Sequence, residues 1–143
     1  TEGHYTVTSE MKEKMADFCG GFATEAEDAA AIKELYDETG YVIDTHTGVA
    51  SAVYQQYKKN TGDEAKTVIA STASPYKFSR SVMEAISDEK LPDDEFAVID
   101  ELSRVSGVQI PKAVEEIRNA QIRHNLECDV QDMKKTVAKI LGI

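Results

Sequence analysis

The sequence predicts an α/β fold that is mostly helical around a short parallel sheet. Two runs rich in β-branched residues, 41–47 and 67–75, have the composition of strands, and each ends in small polar residues. A helical pattern lies between them, so the three segments together indicate a β-α-β crossover. In open α/β sheets, ligands bind just beyond the carboxyl ends of the strands. We therefore expect any binding site to lie where these two runs end.

Capping signals divide the amino-terminal half into three predicted helices. Each begins beside a Thr or Asp side chain that can accept backbone hydrogen bonds, and each ends near glycine. The predicted helices run from about Ser9 to Gly20, from about Glu25 to Gly40 and from about Thr45 to Asn60. Thr24 and Glu27 have the spacing of a capping box. Asp44 or Thr45 can cap the third helix, which connects the two strand-like runs.

The carboxyl-terminal half carries four more helical patterns. A break at residues 91–94 separates a short helix from the next one, and Pro111 suits the first turn of another. The predicted segments are about 79–87, about 96–102, about 111–118 and about 130–140. The expected organisation is one unit over residues 1–143, with a β-α-β core at about 40–75 and a helical tail at about 93–143.

Two strands alone make an incomplete sheet. Parallel strands normally lie inside larger sheets that are covered on both faces. Either the chain forms a mostly helical domain around a short sheet edge, or it completes a sheet that other residues begin. We favour the second, because the chain starts at Thr1 rather than Met and so has the character of a fragment. An exposed sheet edge would then be a candidate surface for self-association.

Charge and composition exclude several classes of function. The chain has 143 residues with 26 acidic against 16 basic side chains, a formal net charge of −10. Such a surface repels phosphate backbones and anionic lipid, so we expect neither nucleic-acid nor membrane binding. Cys19 and Cys128 lie far apart without metal-ligand spacing, which indicates two reduced thiols and a cytoplasmic location. Cys19, beside Gly20, is expected to be a buried thiol at a helix end.

The end of the second run carries the main candidate site. Thr72 lies there with Ser71 and Ala73 on either side. Hydroxyl and backbone groups at a strand end can bind a planar or anionic ligand. A turn in which Ser and Thr bond their own backbone before Pro75 explains the same residues and is the commoner arrangement.

The end of the first run carries a weaker candidate. Asp44 to Thr47 lie at a helix start, where free backbone N–H groups can bind anions, although capping is the more common role of Asp and Thr there. His46 has no partner at metal-ligand spacing, so no metal site is predicted. Lys77 can meet a phosphate or cover apolar surface. His4 and His124 are expected to be surface or packing residues, since no nucleophile lies near them in sequence.

Both candidate segments resemble a known family. The stretch DTHTGVA from Asp44 to Ala50 resembles the D-P-H-T-A-V-G/A motif near the carboxyl end of threonine synthases. The stretch STASPYKF from Ser71 to Phe78 resembles that family's S/G-T-A-H-P-A-K-F segment, at a similar distance along the chain. This chain departs from the motifs at four positions, namely Thr45 for Pro, Gly48 for Ala, Ser74 for His and Tyr76 for Ala.

The resemblance implies a cofactor and a reaction. Threonine synthases are fold-type II enzymes that use pyridoxal 5'-phosphate to convert O-phosphohomoserine and water into threonine and phosphate. By this resemblance the two strands would join the larger sheet of such an enzyme. Thr72 matches the residue whose hydroxyl meets the pyridine nitrogen, and Ser71 and Ala73 would flank the ring. The family's Schiff-base lysine and glycine-rich phosphate loop have no counterpart here, so the resemblance implies an inactive carboxyl-terminal fragment without a catalytic residue.

Two other interpretations remain open from the sequence. The chain can be a free-standing helical interaction or regulatory module in which the strand-like runs are incidental. It can also be part of a different fold-type II enzyme, which the run from Thr72 to Phe78 fits less closely. An upstream reading frame with a Ser/Asn-x-x-x-Lys motif would favour the enzyme, whereas a Met immediately before Thr1 would favour the module.

Overall fold

Helices make up all the regular structure in residues 3–143, the part of the chain that the computed structural model describes. Seven α-helices follow one another, with short 3₁₀ turns before the fourth and the seventh. They are α1 (Ser9–Lys14), α2 (Glu25–Thr39), α3 (Thr45–Thr61), α4 (Ser79–Ile86), α5 (Glu95–Ser106), α6 (Lys112–Arg118) and α7 (Met133–Leu141), and the 3₁₀ turns are Pro75–Phe78 and Val130–Asp132. No strand occurs in this part of the chain.

The predicted parallel sheet and its β-α-β crossover are therefore wrong. Residues 41–43 form a short link between α2 and α3, and residues 67–73 form an extended loop. The backbones of these two segments share no hydrogen bond within residues 3–143. Strand propensity describes how well a side chain fits a partly buried pleated surface. A segment with high strand propensity forms no strand unless another strand pairs with it. The sheet edge that would have supported self-association is absent from the described residues too.

The strand-like composition of the two segments has different causes. Val42 and Ile43 are buried, so their apolar side chains serve the core rather than a sheet. Val68 is 91% exposed and covers nothing in the described structure. The same β-branched composition thus accompanies a buried link in one place and an exposed loop in the other.

The helix starts agree well with the capping signals. Thr24 and Glu27 form the complete capping box of α2, which confirms that prediction. Asp44 rather than Thr45 caps α3, and its carboxylate accepts the backbone N–H groups of residues 46 and 47. α1 is shorter than predicted, because it ends at Lys14 instead of continuing to Gly20. None of its residues is buried, so no packing extends it.

The core forms where α2 packs on α3 and α4, and where α4 packs on α5. Its largest fully buried apolar side chains come from α2, α4 and α5: Ile32, Val82, Met83, Val98 and Leu102. Burial of a side chain of this size stabilises a fold by about 1.5–3 kcal/mol relative to an exposed position. This packing fixes the start of α3 against α2, which is where the candidate site begins.

The chain divides into two compact units. The first ends at Ile110, and the second covers Pro111–Ile143. The second unit contains α6 and α7, and none of its side chains is buried. Among the described helices, none has both the length and the apolar character that a membrane span requires.

Candidate functional site

A buried carboxylate stands at the centre of the candidate site. Asp44 is 0% exposed, although it lies on the link between α2 and α3. Its Oδ1 accepts the backbone N–H of His46 at 2.9 Å and that of Thr47 at 3.4 Å. Its Oδ2 accepts a short hydrogen bond from the Thr47 hydroxyl and one of 3.4 Å from the Ser71 hydroxyl. Asp44 therefore does more than cap α3.

Hydrogen bonding keeps this carboxylate ionised. Burial by itself would raise the pKa of Asp44. The hydroxyl of Thr47, the backbone N–H groups of residues 46 and 47, and the ring of His46 outweigh burial and lower that pKa below its ordinary value. Because an ionised carboxylate only accepts hydrogen bonds, all of its contacts must be donors.

The loop that carries Thr72 is attached to this carboxylate. The Ser71 hydroxyl lies 2.9 Å from that of Thr47 and 3.4 Å from the carbonyl oxygen of Ala73. Ser71 thus connects the loop to the start of α3 across 24 residues of sequence. Of the predicted site residues Ser71, Thr72 and Ala73, Ser71 contacts the end of the first run, and the other two follow it in the loop.

The far side of the loop is attached to the core. Ser74 accepts the backbone N–H of Tyr76 at 3.3 Å and so caps the 3₁₀ turn. The buried Tyr76 donates its hydroxyl proton to the carbonyl oxygen of Val108, just beyond α5. Thr72 lies between these two attachments and is exposed, and its hydroxyl has no hydrogen bond to residues 3–143. Thr72 is therefore exposed on a loop whose backbone is fixed on both sides of it.

His46 completes the local arrangement. Its Nδ1 lies 3.2 Å from Asp44 Oδ1, and its side chain is 49% exposed. Its ring stacks on that of Phe78 with centroids 5.6 Å apart and planes inclined by 29°. Both segments of the family resemblance thus contribute to one arrangement, since Phe78 ends the second of them.

A second carboxylate lies close by on α2. Asp28 Oδ1 is buried and has no hydrogen-bond partner in the part of the chain described. Burial raises the pKa of Asp28, and the charge of Asp44 raises it further, whereas His46 acts in the opposite direction. A Cβ atom on Gly48 would meet Asp28 Oδ1 at 2.0 Å and Ile32 Cγ1 at 2.8 Å. Only glycine allows α2 and α3 to approach this closely.

A cleft of about 430 Å³ opens beside this junction. It is bordered by the starts of α2 and α3, by the 3₁₀ turn and by α4. Its lining includes three carboxylates and one aromatic ring, from Glu25, Asp28, Glu84 and Phe78. The cleft is therefore acidic and a poor site for a phosphate group.

The remaining sequence candidates lie elsewhere or have structural contacts. The Lys77 ammonium lies 5.5 Å from the centre of the Phe78 ring, within the range of a cation–π contact. Cys19 is exposed, so the expectation of a buried thiol is wrong. His4 and His124 are exposed. Residues 3–143 contain no group of three or more potential metal ligands.

Asp28 and Phe78 were not singled out by sequence analysis as parts of this arrangement. Asp28 looks like an ordinary first-turn acid that favours a helix start. The signal that could have identified it is Gly48, a glycine inside a helical pattern, which often marks a close approach. Nothing local to Asp28 reveals that a glycine 20 residues later faces it.

Comparison with known proteins identifies the same region. The family model described as "Threonine synthase, C-terminal" matches residues 47–135, more than half of the chain. The human protein named "Threonine synthase-like 1" is 30% identical over 92 residues, which cover 64% of this chain and 12% of the relative.

Two relatives carry the name "Threonine synthase". The one from Schizosaccharomyces pombe is 35% identical over 88 residues, 60% of this chain and 17% of its own length. The one from Corynebacterium glutamicum is 31% identical over 84 residues, 57% of this chain and 17% of its own length. The chain thus spans less than a fifth of each of these three relatives. No solved structure matches the chain.

Proposed function

Because the chain belongs to the threonine synthase C-terminal family, we propose that it is the carboxyl-terminal portion of a threonine synthase. The parent enzyme would use pyridoxal 5'-phosphate to convert O-phosphohomoserine and water into threonine and phosphate. This portion would supply one wall of the cofactor site, with Thr72 facing the pyridine nitrogen and Ser71 and Ala73 beside the ring. The other residues of the site would come from parts of the parent that lie outside this chain.

One structural observation carries this proposal. The exposed Thr72 lies on a loop that is held on one side by Asp44 through Ser71 and on the other by the capped 3₁₀ turn at Ser74. A hydroxyl on a loop that is held on both sides is suited to an interaction with one ligand atom, since little backbone freedom is lost when the ligand binds.

The residues present fit the cofactor's ring. The neutral hydroxyl of Thr72 can exchange a hydrogen bond with a pyridine nitrogen without holding a proton on it, as a carboxylate would. The one carboxylate attached to the loop, that of Asp44, is buried and already saturated with donors. When bound, pyridoxal phosphate supplies an electron sink for the chemistry of amino-acid substrates.

The proposal assigns the following tasks to this chain. Thr72 Oγ1 would meet the ring nitrogen and moderate the acidity of that position. Ser71 would hold the loop at the required distance, because its hydroxyl is fixed by Thr47 and Asp44. The acidic cleft beside Phe78 would repel phosphate, so the substrate phosphate is expected to bind on residues from the rest of the parent.

The chain alone is expected to be inactive. The family's cofactor-anchoring lysine has no recognisable motif in its sequence. Incubation with pyridoxal phosphate, borohydride reduction and peptide mass spectrometry should show no preferential labelling of one lysine. Stoichiometric labelling of a single lysine would contradict this part of the proposal.

Thr72 provides the test in the full-length parent, which is obtained from the complete reading frame. Thr72→Val keeps the shape but removes the hydroxyl, and should lower the rate of phosphate release from O-phosphohomoserine about tenfold, the equivalent of ~1.4 kcal/mol. Thr72→Ser should restore most of that rate. Thr67→Val is the matched control, because Thr67 is also exposed but lies five residues nearer α3 in the same loop. Equal rates for Thr72→Val and the unaltered enzyme would contradict the assignment.

The all-helical architecture also favours a second candidate, a helical interaction or regulatory module without catalysis. In that case the complete reading frame would contain no Ser/Asn-x-x-x-Lys motif, and purified protein would release no phosphate from the substrate. The two exposed cysteines, Cys19 and Cys128, support a cytoplasmic location for either candidate, since free thiols are typical of reducing compartments.

A further inference from the structure

The Asp44 carboxylate contacts both the start of α3 and the loop that carries Thr72. Through Oδ1 it contacts the backbone and ring of His46, and through Oδ2 it contacts the hydroxyls of Thr47 and Ser71. Helix capping alone would require only the contacts with backbone N–H groups. The contacts with the His46 ring and with Ser71 go beyond that requirement.

We infer that Asp44 is the positioning residue of the proposed cofactor wall, where it selects the tautomer of His46 and holds the loop of Thr72 through Ser71. The role of Asp44 in catalysis rests on the proposed function. The arrangement of Asp44, His46 and Ser71 does not, because it is defined by the contacts of this chain.

The tautomer follows from the contact between the ring and the carboxylate. An ionised carboxylate has no proton to donate, so at 3.2 Å from it the His46 Nδ1 must be the donor. In the neutral ring the other nitrogen, Nε2, is then unprotonated and can only accept. The side chain is half exposed and its ring stacks on that of Phe78, which holds the ring in place. Within residues 3–143, Nε2 makes no hydrogen bond, and the charge of Asp28 also acts on this ring.

This arrangement has a chemical consequence. A carboxylate that orients an imidazole and fixes the proton on one nitrogen is the usual way to present the other nitrogen as a proton acceptor. The same carboxylate also holds Ser71, next to Thr72. A single substitution at Asp44 should therefore change both the imidazole and the loop, whereas a simple helix cap would influence neither.

The test uses Asp44→Asn, because Asn is as good a helix cap as Asp. The amide oxygen can still accept from the backbone N–H groups and from the ring, but it is neutral and so a weaker acceptor than a carboxylate, and the NH2 group must donate to the hydroxyls of Thr47 and Ser71 where the carboxylate accepted. Asp94→Asn is the matched control. Asp94 caps α5 in the same manner, with Oδ1 accepting the N–H of Ala97 at 2.8 Å, but it is exposed and has no contact with a histidine.

The first readout is the ¹⁵N spectrum of the histidine rings in the 143-residue chain at pH 9, well above the range in which histidines ordinarily titrate. The unaltered chain and Asp94→Asn should show His46 protonated on Nδ1, whereas Asp44→Asn should shift the ring toward the Nε2-protonated form. An Nε2-protonated His46 in the unaltered chain would overturn the inference without any variant. An unchanged spectrum for Asp44→Asn would overturn it too.

The second readout is kinetic and uses the full-length parent. Asp44→Asn should lower kcat for phosphate release roughly tenfold, as loss of a residue that orients a site group commonly does. Asp94→Asn should leave kcat within about twofold. Equal kcat values for Asp44→Asn and the control would overturn the positioning role. An unaltered parent without phosphate-releasing activity would instead refute the proposed function, and the tautomer measurement would still decide the arrangement around Asp44.

Discussion

The start of α3 and the loop over residues 67–73 have similar sequences but opposite environments. In the first, Val42, Ile43 and Asp44 are buried, and α2 lies so close that a side chain at Gly48 would clash with Asp28 and Ile32. In the second, Val68 and Thr72 are exposed. Among the described residues, the hydrogen bonds between the two regions join side chains, namely the Ser71 hydroxyl with the hydroxyl of Thr47 and the carboxylate of Asp44. The buried first region therefore contributes to stability, whereas side chains of the exposed second region should contribute little to it.

The largest expected effect is the loss of the buried carboxylate. Asp44→Ala removes the cap of α3 and leaves the hydroxyl of Thr47 and two backbone N–H groups without their acceptor. We expect a loss of about 2–4 kcal/mol in the free energy of unfolding, measured by urea denaturation. A loss below about 1 kcal/mol would show that the first region does not control stability.

The next effect tests the close approach of α2 and α3. Gly48→Ala should destabilise the chain by about 1–2 kcal/mol, because the clash with Asp28 and Ile32 outweighs the helix-propensity gain of alanine. Adding Asp28→Ala should restore part of the loss, since it removes the nearest atom. Thermal unfolding of the single and double variants measures this. If the two destabilisations simply add, residue 48 and Asp28 do not clash as described.

Asp28→Asn is expected to raise the free energy of unfolding slightly, whereas the two preceding substitutions lower it. The pKa of Asp28 is raised in the folded chain by burial and by Asp44. Any stability that this group contributes is therefore present at low pH and is lost as the pH rises through its folded pKa. At pH 7 the neutral Asn should be more stable by roughly 0.5–1 kcal/mol, and this advantage should disappear below the ordinary pKa of Asp. Thermal unfolding between pH 3 and 8 measures it, and an advantage that grows toward low pH would contradict the account.

The smallest effect is expected in the second region. Thr72→Ala and Val68→Thr change exposed side chains without packing partners in the described residues, so each should alter the free energy of unfolding by less than about 0.5 kcal/mol. Chemical denaturation of both variants checks this. A loss above 1 kcal/mol for Thr72→Ala would favour a purely structural turn over a binding residue.

Local signals predicted the helices of this chain better than its fold class. The capping box of Thr24 and Glu27 and the Asp44 cap act over three or four residues, so their information is present in the sequence itself. A strand depends on a partner that composition does not reveal, and Val42–Ile43 proved to be a buried link instead. The ends of the two runs do lie close together, but side-chain hydroxyls connect them, not the predicted sheet.

The candidate site was predicted only in outline. The small polar residues around Thr72 indicated its place, and the motif resemblance suggested its chemistry. The second role of Asp44 could not be predicted, because capping fully explains an Asp before a helix. Its contact with Ser71 spans 27 residues and becomes visible only in three dimensions.

A double-mutant cycle between Asp44 and Ser71 measures whether one buried carboxylate joins the two regions. Asp44→Asn, Ser71→Ala and the double variant are compared by urea unfolding with the unaltered chain. We predict a coupling free energy of about 1 kcal/mol, because the two side chains share hydrogen bonds with each other and with Thr47. Additivity within about 0.3 kcal/mol would show that the loop and the start of α3 are independent and would contradict the claim.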